Sequence, residues 1–180
     1  MDLQAFVNTT NCEHSIRVSE ISGILAKYLG YSQKEALIIG QAAIYHDIGK
    51  CDIPPEILNK PGALTDQEYS IVKCHTQLGG ERIAEALRVL SAASVISEHH
   101  HEKWDGTGYH GLAAGEIHPY ARLVSVADVF DALASKRVYR DACSIGDVIG
   151  YITNLAGVQF DEAVVSVLLA HADEIAALYR

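Results

Sequence analysis

Residues 32–47 read SQKEALIIGQAAIYHD, a run in which Ala, Leu and Ile follow one another with little polar interruption. Such a segment predicts a helix buried on most of its sides, and it carries the adjacent pair His46-Asp47 into the interior at its end. On its N-terminal side, Val18, Ile21, Leu25 and Tyr28 recur at helical spacing, so Glu13 to Leu29 predicts an amphipathic helix that Gly30 terminates. On its C-terminal side, Pro54, Pro55 and Pro61 make Cys51 to Gly62 an irregular connection with at most one helical turn, at Glu56 to Leu58.

Farther along, Thr65-Asp66-Gln67-Glu68 fits a capping box, so a helix should run toward Thr76 and a second should begin near Leu78. Ser91 to about Glu102 reads as another helix, and the two glycines of Asp105-Gly106-Thr107-Gly108 then require a loop. Tyr120 to Ala134 is helical again, Ser144 offers an N-cap for a helix closing at Gly157, and Asp161 opens a last helix to about Leu178. No run reads convincingly as a strand. The expectation is an all-α fold, a bundle of about seven or more helices in a single domain over residues 1–180.

Composition narrows the function classes. The chain has 180 residues, with 14 Lys+Arg against 23 Asp+Glu for a formal net charge of −9, and 49% of its residues are apolar. That apolar share supplies a core, while an acidic balance and a sequence pI near 5.4 argue against duplex nucleic acid or a membrane surface as partner. Apolar runs such as Ala36 to Ile39 fall far short of the roughly 20 residues of a membrane span. The N-terminus lacks a basic region followed by an apolar stretch, which predicts no secretory signal and a cytoplasmic location. Cys12, Cys51, Cys74 and Cys143 form no CxxC pair, so free thiols are expected.

The chemistry gathers in three clusters: His46-Asp47 within HDIGK, His99-His100-His101-Glu102 ahead of WDGTGY, and Asp128 with Asp131 in ADVFDAL, with His14 and His75 on helices between them. A lone helical His is ordinarily a satisfied or exposed side chain. Imidazoles and carboxylates on several buried helices need partners, however, and a metal cation supplies one for all of them. Helical bundles project ligands inward from facing helices. A set of imidazole and carboxylate without thiolate suits Fe, Mn, Zn or Ni, and there are ligands enough for two ions. Two ions roughly 4 Å apart, sharing a carboxylate and a water that acts as nucleophile, are a common arrangement for phosphoester hydrolysis.

In order along the chain, His14, His46-Asp47-Ile48-Gly49-Lys50, Ile53-Pro54, Asn59-Lys60-Pro61-Gly62, Leu64-Thr65, His75, His100-His101-Glu102, Asp105 to Tyr109, Asp128 to Leu133 and Arg137 resemble the HD-GYP phosphodiesterases. The resemblance implies an all-α HD-superfamily fold and a bacterial enzyme hydrolysing cyclic di-GMP to linear pGpG or GMP through a metal-bridging hydroxide. It implies His14, His46, Asp47 and Asp128 as the basic metal set, His75, His100 and His101 as ligands completing a second site, and Asp47 as the bridging carboxylate. Two divalent ions, Fe or Mn, with Zn or Ni as alternatives, are the implied cofactors. Lys50 would neutralise charge on the phosphoryl oxygens, its alternative being a cation at a helix C-terminus. Arg137 and Arg140 would grip phosphates or guanine, Tyr109 would stack on a base or merely pack its loop, and Asp131 would accept from substrate or from a ligand His. Glu102 and Asp105 would fix the loop and the imidazoles, His99 would be a supporting or surface residue, and His118 and His171 match no motif and read as surface residues. A cyclic dinucleotide is the implied substrate, with a diguanylate cyclase or another signalling protein as partner.

The chain also departs from that pattern. His110 stands where the family's GYP ends in proline, which frees the local φ and returns an N–H donor, and Val138 stands where proline is frequent. Thr10 occupies the position at which members with three ions carry Glu, so two ions are expected rather than three. Two other readings stay open: a cyclic-dinucleotide-binding or regulatory module with weak turnover, and an HD-superfamily phosphohydrolase for another nucleotide.

Overall fold

The computed structural model describes residues 12–87, 92–136 and 141–179. In chain order the α-helices are α1 (Cys12–Tyr28), α2 (Gln33–Ala43), α3 (Pro55–Leu58), α4 (Asp66–Lys73), α5 (His75–Leu87), α6 (Ala92–His99), α7 (Pro119–Ala134), α8 (Ile145–Asn154), α9 (Glu162–Ala170) and α10 (Ala172–Ala176). Short 3₁₀ turns cover Ile48–Asp52, Ala114–Glu116 and Ala177–Tyr179. The described residues hold no strand, only an isolated bridge between Ala156 and Phe160, and none of their helices is long and apolar enough to cross a membrane.

Val18, Ile21 and Leu25 of α1 are fully buried, as the spacing predicts, whereas Tyr28 stays partly exposed. They meet Ile39 and Ala43 of α2, Ile96 of α6 and Phe130 of α7 in one continuous core. Complete burial of a side chain such as Phe130 or Ile21 contributes about 1.5–3 kcal/mol. Helix α7 packs against α1, α6, α8 and α9, which brings Asp128 and Asp131 opposite His14 of α1. Helix α2 is less enclosed than its composition predicts, since Leu37 is 61% and Ile38 41% exposed.

The decisive local event is the end of α2. The Ser32 capping box starts the helix, with Glu35 N–H donating to Ser32 Oγ at 3.3 Å and Ser32 N–H to the Glu35 carboxylate at 3.0 Å. The helix stops at Ala43 instead of running to Asp47. Tyr45, His46 and Ile48 then donate to Ala42, Ala43 and Tyr45, tightening the chain into i→i+3 bonds that continue as the 3₁₀ turn. In this turn His46 and Asp47, adjacent in sequence, both offer ligand atoms to one centre. Gly49 permits this turn to lie against α5 and α6, because a Cβ there would collide with the His75 carbonyl, and one at Gly79 would strike Ser97 Oγ.

Other boundaries shift for local reasons. Helix α5 opens at His75 rather than near Leu78, α6 ends at His99 so that His100 and His101 sit on the following turn, and α8 closes at Asn154. The expected last helix to Leu178 breaks at His171, whose ring stacks on Tyr28 with centroids 3.4 Å apart. The 3₁₀ turn beyond that break sets Tyr179 against Asp131.

Candidate metal centre

Seven side chains converge from five stretches of chain. His14, His46 and Asp47 offer ligand atoms within 4.8 Å of one another, as do Asp47, His75, His100 and His101, and Asp47 belongs to both groups. Asp128 faces the first group, with Oδ1 3.3 Å from His14 Nε2 and 3.8 Å from His46 Nε2. The sequence-predicted ligand set is thus brought together in full, and the adjacent His99 is excluded from it: its Nδ1 accepts from the His118 N–H at 3.2 Å.

Each imidazole is oriented from behind. His46 Nδ1 donates to the Ala43 carbonyl at 2.9 Å, His75 Nδ1 to Val72 at 2.6 Å and His100 Nδ1 to Ser97 at 2.8 Å. A carbonyl only accepts, so these contacts fix the proton on Nδ1 and leave a lone pair on Nε2. That lone pair points at a carboxylate: His75 Nε2 is 3.3 Å and His100 Nε2 3.7 Å from Asp47 Oδ1. All four of these atoms, His46 Nε2, His75 Nε2, His100 Nε2 and Asp47 Oδ1, are buried without a hydrogen-bond partner. Lone pairs facing lone pairs in a buried space require a cation between them. The donor set of imidazole and carboxylate therefore fits a divalent metal.

Charge in the cluster is arranged accordingly. Burial opposes ionisation of Asp47, yet Lys50, with Nζ 2.5 Å from Oδ2, and His46 hold its carboxyl well below the usual range. Burial likewise opposes a charge on Asp128, and His14 and His46 outweigh it, lowering its pKa. His101 is pushed well down by burial and by neighbouring His100, and burial also lowers His100, which keeps both imidazoles neutral as ligands must be.

Behind His14 stands a network that sequence reasoning placed differently. Asp131, expected among the substrate contacts or as an acceptor for a ligand His, is 1% exposed and takes the second role. His14 Nδ1 lies 2.7 Å from its Oδ2, while Arg17 Nε and the Tyr179 hydroxyl donate to Oδ1 at 2.5 and 2.7 Å. Ser135 Oγ donates to the same Oδ1 at 3.2 Å, so the carboxylate is engaged by neighbours on three elements. Arg17, Tyr179 and Ser97, whose hydroxyl donates to the His46 carbonyl at 3.0 Å, were missed. Arg17 had a signal, since it follows His14 by one turn on the face that meets α7; Tyr179 had none.

Around the opening, the Tyr109 ring lies 4.7 Å from that of His101. Its loop is held by the buried Glu102 carboxylate, which accepts from the N–H groups of His110 and Leu112 at 2.7 and 2.8 Å. Asp105 instead stabilises its own turn through Thr107 N–H at 2.9 Å. His110 bonds Thr76 Oγ1 at 2.8 Å and so anchors the loop in place of the family's proline. His118 and His171 are not idle surface groups, the first capping α7 and the second stacking on Tyr28. Arg137, Arg140, Val138 and Thr10 lie outside the described residues.

Comparison with known proteins gives this geometry a lineage. A family model described as HD domain matches residues 2–164. The cyclic di-GMP phosphodiesterase response regulator RpfG of Xanthomonas campestris pv. campestris is 41% identical over 155 residues, covering 85% of this chain and 41% of that protein. The 3'3'-cGAMP-specific phosphodiesterase 2 of Vibrio cholerae is 38% identical over 167 residues, covering 92% of this chain and 32% of that protein. The chain thus spans well under half the length of these relatives. Among solved structures, the HDG"Y"P protein Bd1817 from Bdellovibrio bacteriovorus superposes with a TM-score of 0.71 at 21% identity, over 89% of this chain and 51% of that one, a likeness of fold. With a family match over residues 2–164 and relatives at about 40% identity that are named cyclic dinucleotide phosphodiesterases, the chain belongs to the HD domain family and, within it, to the HD-GYP group.

Proposed function

We propose that the chain is a metal-dependent phosphodiesterase that hydrolyses cyclic di-GMP, using two divalent ions held by His14, His46, Asp47, His75, His100, His101 and Asp128. The observation that carries this reading is the convergence of buried, unpartnered Nε2 and carboxylate oxygen atoms on one centre. The ions would be iron or manganese, with zinc or nickel as alternatives that the same donor set accepts, and Asp47, common to both ligand groups, would serve both. When bound, the ions supply Lewis acidity at the scissile phosphate and a nucleophile at neutral pH.

The protein's own groups do the rest. Asp47 and Asp128 are held ionised, and backbone carbonyls orient the imidazoles of His46, His75 and His100. Lys50 is 38% exposed beside Asp47, placed to bind a non-bridging phosphoryl oxygen and offset its developing charge. Tyr109, fixed by Glu102, walls the approach and presents a ring to a base. Arg137 and Arg140 are assigned to phosphate or guanine on the HD-GYP resemblance.

A second reading concerns the base pair of the substrate: the relative from Vibrio cholerae named as 3'3'-cGAMP-specific makes the hybrid dinucleotide the competing substrate. Metal content of anaerobically purified protein, with hydrolysis of both dinucleotides on the same sample and on Asp47→Ala, tests the proposal. Bound metal and cyclic di-GMP turnover that is lost in the variant are expected. Turnover of 3'3'-cGAMP alone selects the second reading, and metal-loaded protein that cleaves neither overturns both.

A further inference from the structure

Helix α4 approaches the metal centre through residues that the ligand set does not use. Tyr69, 47% exposed, sets its ring at 87° to that of Tyr109 with centroids 6.0 Å apart. Tyr109 in turn lies against His101 and, at 6.2 Å, against His75. The rings therefore form a path that leads outward from ligand imidazoles to solvent. Lys73, one turn after Tyr69, holds its ammonium 5.7 Å from the Tyr69 centroid and 5.3 Å from the Tyr109 centroid. No carboxylate pairs with Lys73 among the described residues, so its charge rests on two ring faces at the edge of the site.

Both sides of this corner are braced. Glu102 and the His110 to Thr76 bond hold the Tyr109 loop, and Lys60 ties the preceding connection to Glu68 of α4 at 2.5 Å. Two braced rings meeting at a right angle, with a cation beside them, match the chemistry of a nucleobase and its attached phosphate: a planar π-face to stack and an anion to neutralise.

We propose that Tyr69 and Lys73 form a purine subsite, with Tyr69 as the stacking platform for one base of the bound dinucleotide and Lys73 as the cation for its phosphate. This rests on the phosphodiesterase reading for the choice of dinucleotide, but it is tested by binding rather than turnover. Cyclic di-GMP is titrated calorimetrically into metal-loaded wild-type protein, Tyr69→Ala, Tyr69→Phe and Lys73→Gln, with metal content confirmed equal for all four. Tyr69→Ala should raise Kd roughly tenfold, Tyr69→Phe should bind like wild type because it keeps the ring, and Lys73→Gln should weaken binding in a way that added salt diminishes. Hydrolysis of methyl p-nitrophenyl phosphate, a diester with no base, should fall far less in Tyr69→Ala than hydrolysis of cyclic di-GMP does. Unchanged Kd in Tyr69→Ala, equal loss on the base-free diester, or wild-type protein that binds no cyclic dinucleotide overturns the subsite. Binding that depends on Tyr69 without turnover upholds it and overturns only the enzyme reading.

Discussion

His14 turns its Nδ1 to Asp131 at 2.7 Å and its Nε2 to Asp128 at 3.3 Å, so two carboxylates one turn apart on α7 serve the two ring nitrogens of one imidazole. Asp128 shares the metal side and Asp131 supports from behind. Carboxylate support of this kind raises ligand basicity and fixes ring orientation, and its loss typically weakens metal binding 10- to 100-fold. Asp131→Asn keeps the shape but removes the charge, and Mn²⁺ titration of the metal-free protein should show a loss in about that range. Tyr179→Phe removes one donor to Asp131 and should cost less, with the same titration as readout. An unchanged Mn²⁺ affinity in Asp131→Asn would show that His14 needs no such partner.

Gly49 lies where the 3₁₀ turn crosses α5, and a Cβ there would overlap backbone atoms of His75 and Gly79. Backbone cannot swing aside as a flexible side chain does. Gly49→Ala should lower stability by about 1–3 kcal/mol, read as a drop in urea midpoint at constant m. It should also weaken metal binding, because His75 must move with the carbonyl that is displaced. A variant as stable as the parent would mean that the turn and α5 can separate without loss.

Much of this site was legible because its residues carry their chemistry in their type. Clusters of His and Asp on separate helices ask for a shared partner by residue type alone, while the particular set His14, His46, Asp47, His75, His100, His101 and Asp128 was implied by the resemblance to the HD-GYP phosphodiesterases, and the fold brings these side chains to one centre. Capping boxes at Ser32 and Thr65 likewise mark helix starts by local hydrogen bonding alone. What stayed hidden depends on distant contacts. The stop of α2 at Ala43 accompanies the close packing of Gly49 on α5, and the break at His171 a ring stack on Tyr28, a residue far away in sequence. Asp131 was legible as a functional carboxylate, but its side of the imidazole was set by Arg17 and Tyr179, which only the tertiary fold brings to it.

Glu102 is 2% exposed and satisfies two backbone N–H groups of the loop that carries Tyr109. Replacement by Ala would remove the shared acceptor of two part-buried hydrogen bonds, at about 0.5–1.5 kcal/mol each. Glu102→Ala should therefore unfold at markedly lower temperature and, where it stays folded, raise KM for cyclic di-GMP more than it lowers kcat, since Tyr109 loses its fixed position. Glu102→Gln retains an acceptor oxygen and should lie between the two. Equal KM values in all three proteins would separate the loop from substrate binding.

The brace on α4 gives a pH signature away from the metal ligands. Lys60 and the Thr65 N–H both donate to the Glu68 carboxylate, which lowers its pKa from 4.5 to about 2, the Lys60 bond being the larger cause. A carboxyl with a lower pKa folded than unfolded binds fewer protons in the native state, so its contribution is complete above about pH 4.5 and is lost as pH falls toward 2. Carbon-detected NMR of the Glu68 carboxyl should show a titration midpoint near 2 in the parent. Lys60→Met should move that midpoint back toward 4.5, with the remaining difference due to the Thr65 N–H. The same substitution frees the connection before α4, and so it should also weaken cyclic di-GMP binding through Tyr69 and Lys73 with metal content unaltered. A midpoint near 4.5 in the parent would show that the ion pair does not persist in solution, and with it the brace that holds the Tyr69 ring at the mouth of the site.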